Sequence, residues 1–185
     1  FNLLEEVVAR VHGPDTWDAL VDAAGVSGSY TSLGSYPDEE IVKLVMAAST
    51  ALSVPPADVL RWFGREAMPL LAERYPVFFA PFSTARPFIV SVNSIIHPEV
   101  RKVYPGADVP VFGFEDGPGG NLVMSYRSAR KLCALAEGFV EGAAVHFGET
   151  VSFDHNRCMH RGDEACVIEM AFLKVAQREL AAACA

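Results

Sequence analysis

Residues 109–130 read VPVFGFEDGPGGNLVMSYRSAR, and here the texture of the chain changes. Two short alternating or β-branched runs, Val111 to Phe114 and Leu122 to Arg130, flank the turn-forming Gly117-Pro118-Gly119-Gly120. Runs of that length bounded by glycine and proline predict strands of an antiparallel sheet. Two more follow, Val151 to Phe153 and Cys166 to Phe172. Between the pairs, from about Ala129 to Phe147, Leu132, Leu135, Ala136, Phe139, Val140 and Ala143 recur at helical spacing and predict one long embedded helix.

Upstream of residue 109 the spacing is helical. Leu4, Val7, Val8 and Val11 share a face and stop at Gly13-Pro14, after which Asp15 can cap a second helix carrying Trp17, Leu20, Val21 and Ala24. Pro37 to Glu40 is a helix start, with proline preset for the first turn and acids at the positive end of the dipole. Pro55-Pro56 ends that helix, another runs from Ala57 to Tyr75-Pro76, and a last segment, Asn93 to Tyr104, carries Ile95, Ile96, Val100 and Val103. Helices first and a sheet with one embedded helix afterwards make an α+β domain. The expected division is a helical part at about 1–108 and a sheet-containing part at about 109–185, within a single domain 1–185.

Composition excludes several function classes. A formal net charge of -8 and a pI near 5.1 leave no basic face for nucleic acid. Apolar runs such as Phe88 to Val92 are far shorter than the ~20 residues that cross a bilayer. The chain opens on Phe1 inside a helical pattern without a signal peptide, so the expectation is a cytoplasmic protein lacking a few native N-terminal residues. Paired catalytic carboxylates, a nucleophile elbow and a P-loop are all missing, and Gly117 to Gly120 lacks the strand-turn-helix context of a dinucleotide loop. The chain is not expected to be an enzyme.

Two constellations carry chemistry. The first is His155-x2-Cys158-x7-Cys166, a spacing that suits tetrahedral zinc, with Cys133 upstream as a further thiol. Cys184 is the odd cysteine. A disulfide scaffold is not expected in a chain long enough to bury a core without staples. The bland alternative is a pair of thiols near a turn, with His155 and His160 solvated beside them. His160 also competes with His155 for the ligand position, although His-x2-Cys gives the tighter chelating turn. The second constellation is Tyr126, Ser128 and Arg130, at alternate positions of an expected strand and so on one face. An arginine fork between two hydroxyls suits a carboxylate. Joined with His97, expected to face an apolar interior, the row supplies what a haem needs: an axial imidazole and a clamp for the propionates.

On His97, Pro110, the Tyr126-x-Ser128-x-Arg130 motif and the order of helices before sheet, the chain resembles the H-NOX family. These are haem-binding nitric oxide or oxygen sensor domains related to the sensor region of soluble guanylate cyclase. The resemblance implies haem b (iron protoporphyrin IX), with His97 as proximal iron ligand, Tyr126, Ser128 and Arg130 on the propionates, and Pro110 packed against the porphyrin. It implies that Cys133 joins His155, Cys158 and Cys166 around Zn2+, as in bacterial NO-responsive members. It also implies signalling to a separate effector such as a histidine kinase or a cyclic-dinucleotide enzyme. Pro98, directly after His97, biases that residue away from helical geometry, so a helix start or kink is expected there.

Oxygen-binding members of the family place a hydrogen-bonding tyrosine on the long helix; the matching position here is Leu135. An apolar distal wall of Leu4, Met68, Leu71, Leu135 and Phe139 gives bound oxygen no donor, so the resemblance implies binding of nitric oxide, and of CO, but not of oxygen. The alternative function is a zinc-thiolate redox-switch or interaction domain without haem.

Overall fold

A computed structural model describes residues 1–32 and 34–175 of the chain. Helix α1 (Asn2–His12) turns Leu4, Val7 and Val8 inward and ends at Gly13, where a φ of 91° redirects the chain into α2 (Pro14–Ala24). Proline needs no amide partner and therefore takes the first helical position, which leaves Asp15 in the first turn rather than at the cap. α3 (Asp38–Leu52) collects Asp38, Glu39 and Glu40 in its first turn, and α4 (Pro56–Arg74) continues through Pro69. Leu4, Val8, Trp17 and Leu44 bury one another where α1, α2 and α3 meet, with Phe1, Tyr30, Trp62 and Phe63 packed around them.

After the short α5 (Pro76–Phe79), α6 (Ala85–Ser91), a π-turn at Val92–Ile96 and α7 (His97–Val103) run on from one another. This segment begins eight residues before the expected Asn93, because its start is capped from far away in sequence: the Ala85 N–H donates to the buried Glu149 carboxylate at 2.8 Å. Pro98 would leave the Ser94 carbonyl without its helical donor and press its ring against it. The wider π-turn lies immediately upstream, and the His97 N–H closes it on the Val92 carbonyl. His97 itself keeps helical angles, φ −61° and ψ −38°, so the irregularity precedes the histidine instead of falling on it.

The strands β1 (Val111–Asp116), β2 (Leu122–Arg127), β3 (Glu149–Arg157) and β4 (Cys166–Lys174) form an antiparallel sheet in the order β1-β2-β4-β3. Leu122, Met124 and Tyr126 on β2 pair with Met170, Ile168 and Cys166 on β4, and these six residues are the buried floor of the main core. The long helix α8 (Cys133–His146) fills the space between that floor and α4, contributing Ala136, Val140, Ala143 and Ala144.

Glycines set how closely α4 and α8 approach. A Cβ on Gly138 would meet the Arg61 carbonyl oxygen at 2.1 Å, and one on Gly64 would meet the Leu135 carbonyl at 2.7 Å. Pro69 has no N–H for the Arg65 carbonyl, and that oxygen sits 2.7 Å from where a Cβ on Gly142 would be. Only backbone fits at these crossings. Among the described residues no helix is long and apolar enough to cross a membrane.

Candidate functional site

His97 opens α7 and stacks on Phe112 of β1, ring centroids 5.6 Å apart and 20° from parallel. The Asn93 amide in the π-turn donates to the Phe112 carbonyl at 2.8 Å and ties this segment to the sheet. Burial, and second the charge of Arg101, hold the imidazole pKa below its ordinary value, which leaves a neutral ring whose nitrogen lone pair can meet a metal. The expected aliphatic surround is only partly present. Ile96 packs on the main core, but Ile95 and Val103 are exposed, because the π-turn breaks the uniform helical register that would have aligned them.

The Tyr126, Ser128 and Arg130 row is not a one-face strand row, and α8 does not begin at Ala129. β2 ends at Arg127, Lys131 takes a left-handed φ of 52°, and α8 starts at Cys133. The two buried hydroxyls build this turn. The Tyr126 hydroxyl accepts the Leu132 N–H at 2.9 Å, and the Ser128 hydroxyl accepts the Arg130 N–H at 3.3 Å. Burial raises the Tyr126 phenol's pKa, with hydrogen bonds from Ser128 and Leu132 opposing it. Arg130 swings outward to Asp38 at the start of α3, Nε to Oδ2 3.1 Å, with both side chains exposed. A pair of that kind contributes only about 0–1 kcal/mol, so the guanidinium remains available to a better placed carboxylate.

Pro110 is half-buried just before β1. The five residues expected as a distal wall divide between clusters. Met68, Leu71 and Phe139 belong to the main core, and Leu4 belongs with Trp17 and Leu44 in the helical part. Leu135 is half-buried on α8, one turn from Phe139, whose ring meets Phe63 of α4 edge-on at 6.5 Å.

The fold brings the residues of the Cys/His constellation together. Ligand atoms of Cys133, His155, Cys158 and Cys166 all lie within 4.8 Å of one another. Cys133 Sγ is 3.9 Å from Cys158 Sγ, and Cys166 Sγ is 4.0 Å from it. These are free thiols. The spacing is far too long for a disulfide bond of about 2.05 Å, but close to the ~3.8 Å between sulfurs that each sit about 2.3 Å from a tetrahedral zinc. Burial, with the neighbouring thiols adding to it, pushes the Cys133 thiol well up; burial also raises Cys166. A cation is what would let such a group ionise. The Met159 N–H points at Cys166 Sγ from 3.3 Å, and the Cys158 N–H is taken by Asp163 at 2.7 Å, which folds residues 158–166 into a tight knuckle. His155 Nε2 is buried without a hydrogen-bond partner. That orphaned nitrogen fits a metal ligand. His160 is spoken for: its Nε2 donates to the Lys131 carbonyl at 2.7 Å. Cys184 lies outside the described residues.

Three contributors were not anticipated. Phe112 was read only as part of a strand. Glu137, buried on α8, and Arg61 on α4 meet behind His155. Cys133 and Glu137 stand four residues apart, and of the two acids on α8, Glu137 and Glu141, the one a helical turn from a candidate ligand was the available signal.

With this geometry in hand, comparison with known proteins is specific. A sequence model of the family described as haem-NO-binding matches residues 1–155. The chain is similar to an H-NOX protein from S. oneidensis solved in the Fe(II)NO state, at 29% identity and a TM-score of 0.86 over 94% of this chain and 97% of that one. It is similar to an H-NOX from Shewanella woodyi in the Fe(II)CO state, at 27% identity and a TM-score of 0.77 over 96% of this chain and 93% of that one. An unliganded Fe(II) H-NOX protein from K. algicida shares the fold, at 23% identity and a TM-score of 0.81 over 94% of this chain and 95% of that one. No curated protein sequence matches significantly.

Proposed function

Because this chain belongs to the haem-NO-binding family, we propose that it is a gas sensor that takes up nitric oxide in preference to oxygen and signals to a separate effector. Bound haem supplies a ferrous iron that takes up diatomic gases. The carrying observation is His97, a neutral imidazole in helical geometry, stacked on Phe112 of β1 and followed by the buried Tyr126 near the end of β2 and the buried Ser128 in the turn after it. His97 would be the iron ligand; Tyr126, Ser128 and Arg130 would hold the propionates; Pro110 would lie against the ring.

Selectivity follows from what the surrounding side chains lack. Leu135, Leu71, Met68 and Phe139 have no N–H or O–H, so a ligand with developing negative charge finds no donor among them. Transmission follows from how α7 is held. At its far end the Tyr104 hydroxyl donates to the Ser32 carbonyl at 2.9 Å, and Arg130 of the clamp pairs with Asp38, so α7 and the clamp both touch the segment that leads into α3 and its first turn. Any change in the engagement of His97 shifts α7 against that segment, a two-position element that a partner such as a histidine kinase or a cyclic-dinucleotide enzyme could read. We also assign Zn2+ to Cys133, His155, Cys158 and Cys166, in a structural role supported by the sulfur spacing and the orphaned His155 Nε2. A zinc-thiolate switch without haem leaves unexplained why the family match spans His97 and the Tyr126 to Arg130 stretch.

The test is spectroscopic. The ferrous protein should give an intense Soret band that shifts with NO and with CO and stays unshifted in air on the minute timescale. A long-lived oxygen complex would overturn the selectivity, and protein purified and reconstituted without any Soret band would overturn the haem assignment.

A further inference from the structure

Behind the four metal-ligand candidates stands a buried acid with two different jobs on its two oxygens. Glu137 is 3% exposed. Its Oε2 accepts both Nε, at 3.1 Å, and the terminal nitrogen Nη2, at 2.6 Å, of Arg61, whose other terminal nitrogen donates to Asp58 at 2.9 Å. Its Oε1 lies 2.7 Å from His155 Nδ1. With Oε2 occupied by the guanidinium, Oε1 is left for the imidazole alone. A carboxylate in this position only accepts, so the ring proton belongs on Nδ1 and the lone pair on Nε2. Nε2 is the atom that is buried without a partner and aimed into the thiols.

We propose that Glu137, clamped by Arg61, is a positioning residue for the metal centre: it fixes the tautomer and orientation of His155 and braces the centre against α4. The inference rests on the zinc assignment above and adds to it two residues that touch no metal. Its physical basis is general. A ligating histidine that donates its other N–H to a carboxylate is oriented and made more basic by it, and loss of such a partner typically weakens metal affinity by about 10–100-fold. Here the carboxylate is in turn held by a residue of the helical part. The four ligands come from α8, β3, the knuckle and β4, all in the sheet-containing part, so the brace makes metal retention depend on the docking of α4 on α8.

The experiment uses the full chain loaded with zinc, the wild type beside Glu137→Gln and Arg61→Gln. Zinc affinity is read by competition with the chromophoric chelator 4-(2-pyridylazo)resorcinol, and the His155 ring by 15N NMR of histidine-labelled protein. Glutamine matches glutamate in size, but its single carbonyl oxygen cannot serve Arg61 and His155 as two carboxylate oxygens do. Glu137→Gln should lose about 10–100-fold in affinity together with the slowly exchanging Nδ1–H signal, and Arg61→Gln should lose less in the same direction. Wild-type affinity in Glu137→Gln overturns the proposal and leaves the zinc centre standing. So does a weakened affinity with the Nδ1–H signal unchanged, since the loss then comes from the fold at large. A wild type that holds no zinc removes both the centre and its brace. Should Glu137→Gln fail to fold, Arg61→Gln decides by the same two readouts.

Discussion

Gly138→Ala sets two effects of known sign against each other at the crossing of α4 and α8. Alanine is a better residue than glycine inside a helix by about 0.8–1.0 kcal/mol, so on propensity alone α8 should gain. The added Cβ, however, would fall 2.1 Å from the Arg61 carbonyl oxygen and 2.8 and 2.9 Å from that residue's carbonyl carbon and Cα. Non-bonded atoms prefer about 3.5 Å, so α4 must retreat by roughly 1 Å or more. The obstacle is backbone and cannot rotate away. A retreat also loosens the crossings at Gly64 and Gly142, where a Cβ would meet its nearest neighbours at 2.7 and 2.6 Å. Overpacking a core costs about 1–3 kcal/mol and occasionally more; a backbone clash belongs at the upper end. The net loss is about 2 kcal/mol or more after the helix gain, and at about 2–4 °C per kcal/mol for a chain of this size the melting temperature should fall by roughly 4–8 °C. Thermal unfolding followed by circular dichroism at 222 nm measures it, on protein loaded with haem and zinc. Because Arg61 is the residue displaced, zinc should also be released faster. A melting temperature equal to or above that of the wild type would mean that helix propensity wins and that α4 and α8 are not in backbone contact.

His97→Gly should abolish or severely weaken iron ligation unless free imidazole is supplied; stoichiometric haem with unchanged spectra in the variant would exclude His97 as the ligand. Arg130→Ala should leave the stability of the haem-free protein within about 1 kcal/mol, because only the exposed pair with Asp38 is lost, yet haem should transfer faster to a scavenging apoprotein, and an unchanged transfer rate would remove Arg130 from the clamp. Cys158→Ala should lower the zinc content from about one per chain and destabilise the knuckle over residues 158–166, since a structural zinc site contributes folding free energy directly; full zinc by elemental analysis with unchanged thermal stability would refute the assignment.

The order of elements was legible because periodicity reports burial. Leu4, Val7 and Val8 at helical spacing, and Leu122, Met124 and Tyr126 at alternate positions, are buried for the reason that made them visible. Of the Cys/His cluster, His155, Cys158 and Cys166 were legible in residue type and spacing, while Cys133, on a helix 22 residues before His155, came in only through the family resemblance. What escaped was decided by specific hydrogen-bond partners, some distant in sequence, that hydrophobic periodicity does not report. Thr84 precedes Ala85 as a local start signal, but its side chain makes no cap bond and the Ala85 N–H is taken by Glu149, 64 residues away. β2 ends at Arg127 because the Tyr126 and Ser128 hydroxyls take the nearby Leu132 and Arg130 amides in a turn that the residue pattern does not show, and Arg130 finds the distant Asp38. The π-turn before His97 answers Pro98: the proline predicts a disturbance at His97, and the disturbance falls on the turn before it. Glu137 stood in plain sight, but one of two acids on a mostly apolar helix has meaning only once Arg61 and His155 are brought against it by the fold.

The two sites share more than a domain. Tyr126, a proposed propionate holder, is the cross-strand partner of Cys166, a proposed zinc ligand. Its hydroxyl accepts the N–H of Leu132, whose next residue is Cys133, another ligand. Glu137, which backs His155, lies on α8 between Leu135 and Phe139, two residues of the proposed distal wall. A displacement of Tyr126 must therefore stretch the start of α8 or tilt β2 against β4, and either movement reaches a sulfur of the cluster within one residue. Closely packed interiors pass such strain on instead of absorbing it. A substitution in either site thus acts on both, and haem retention and zinc content have to be measured together for any variant before its effect is assigned to one of them.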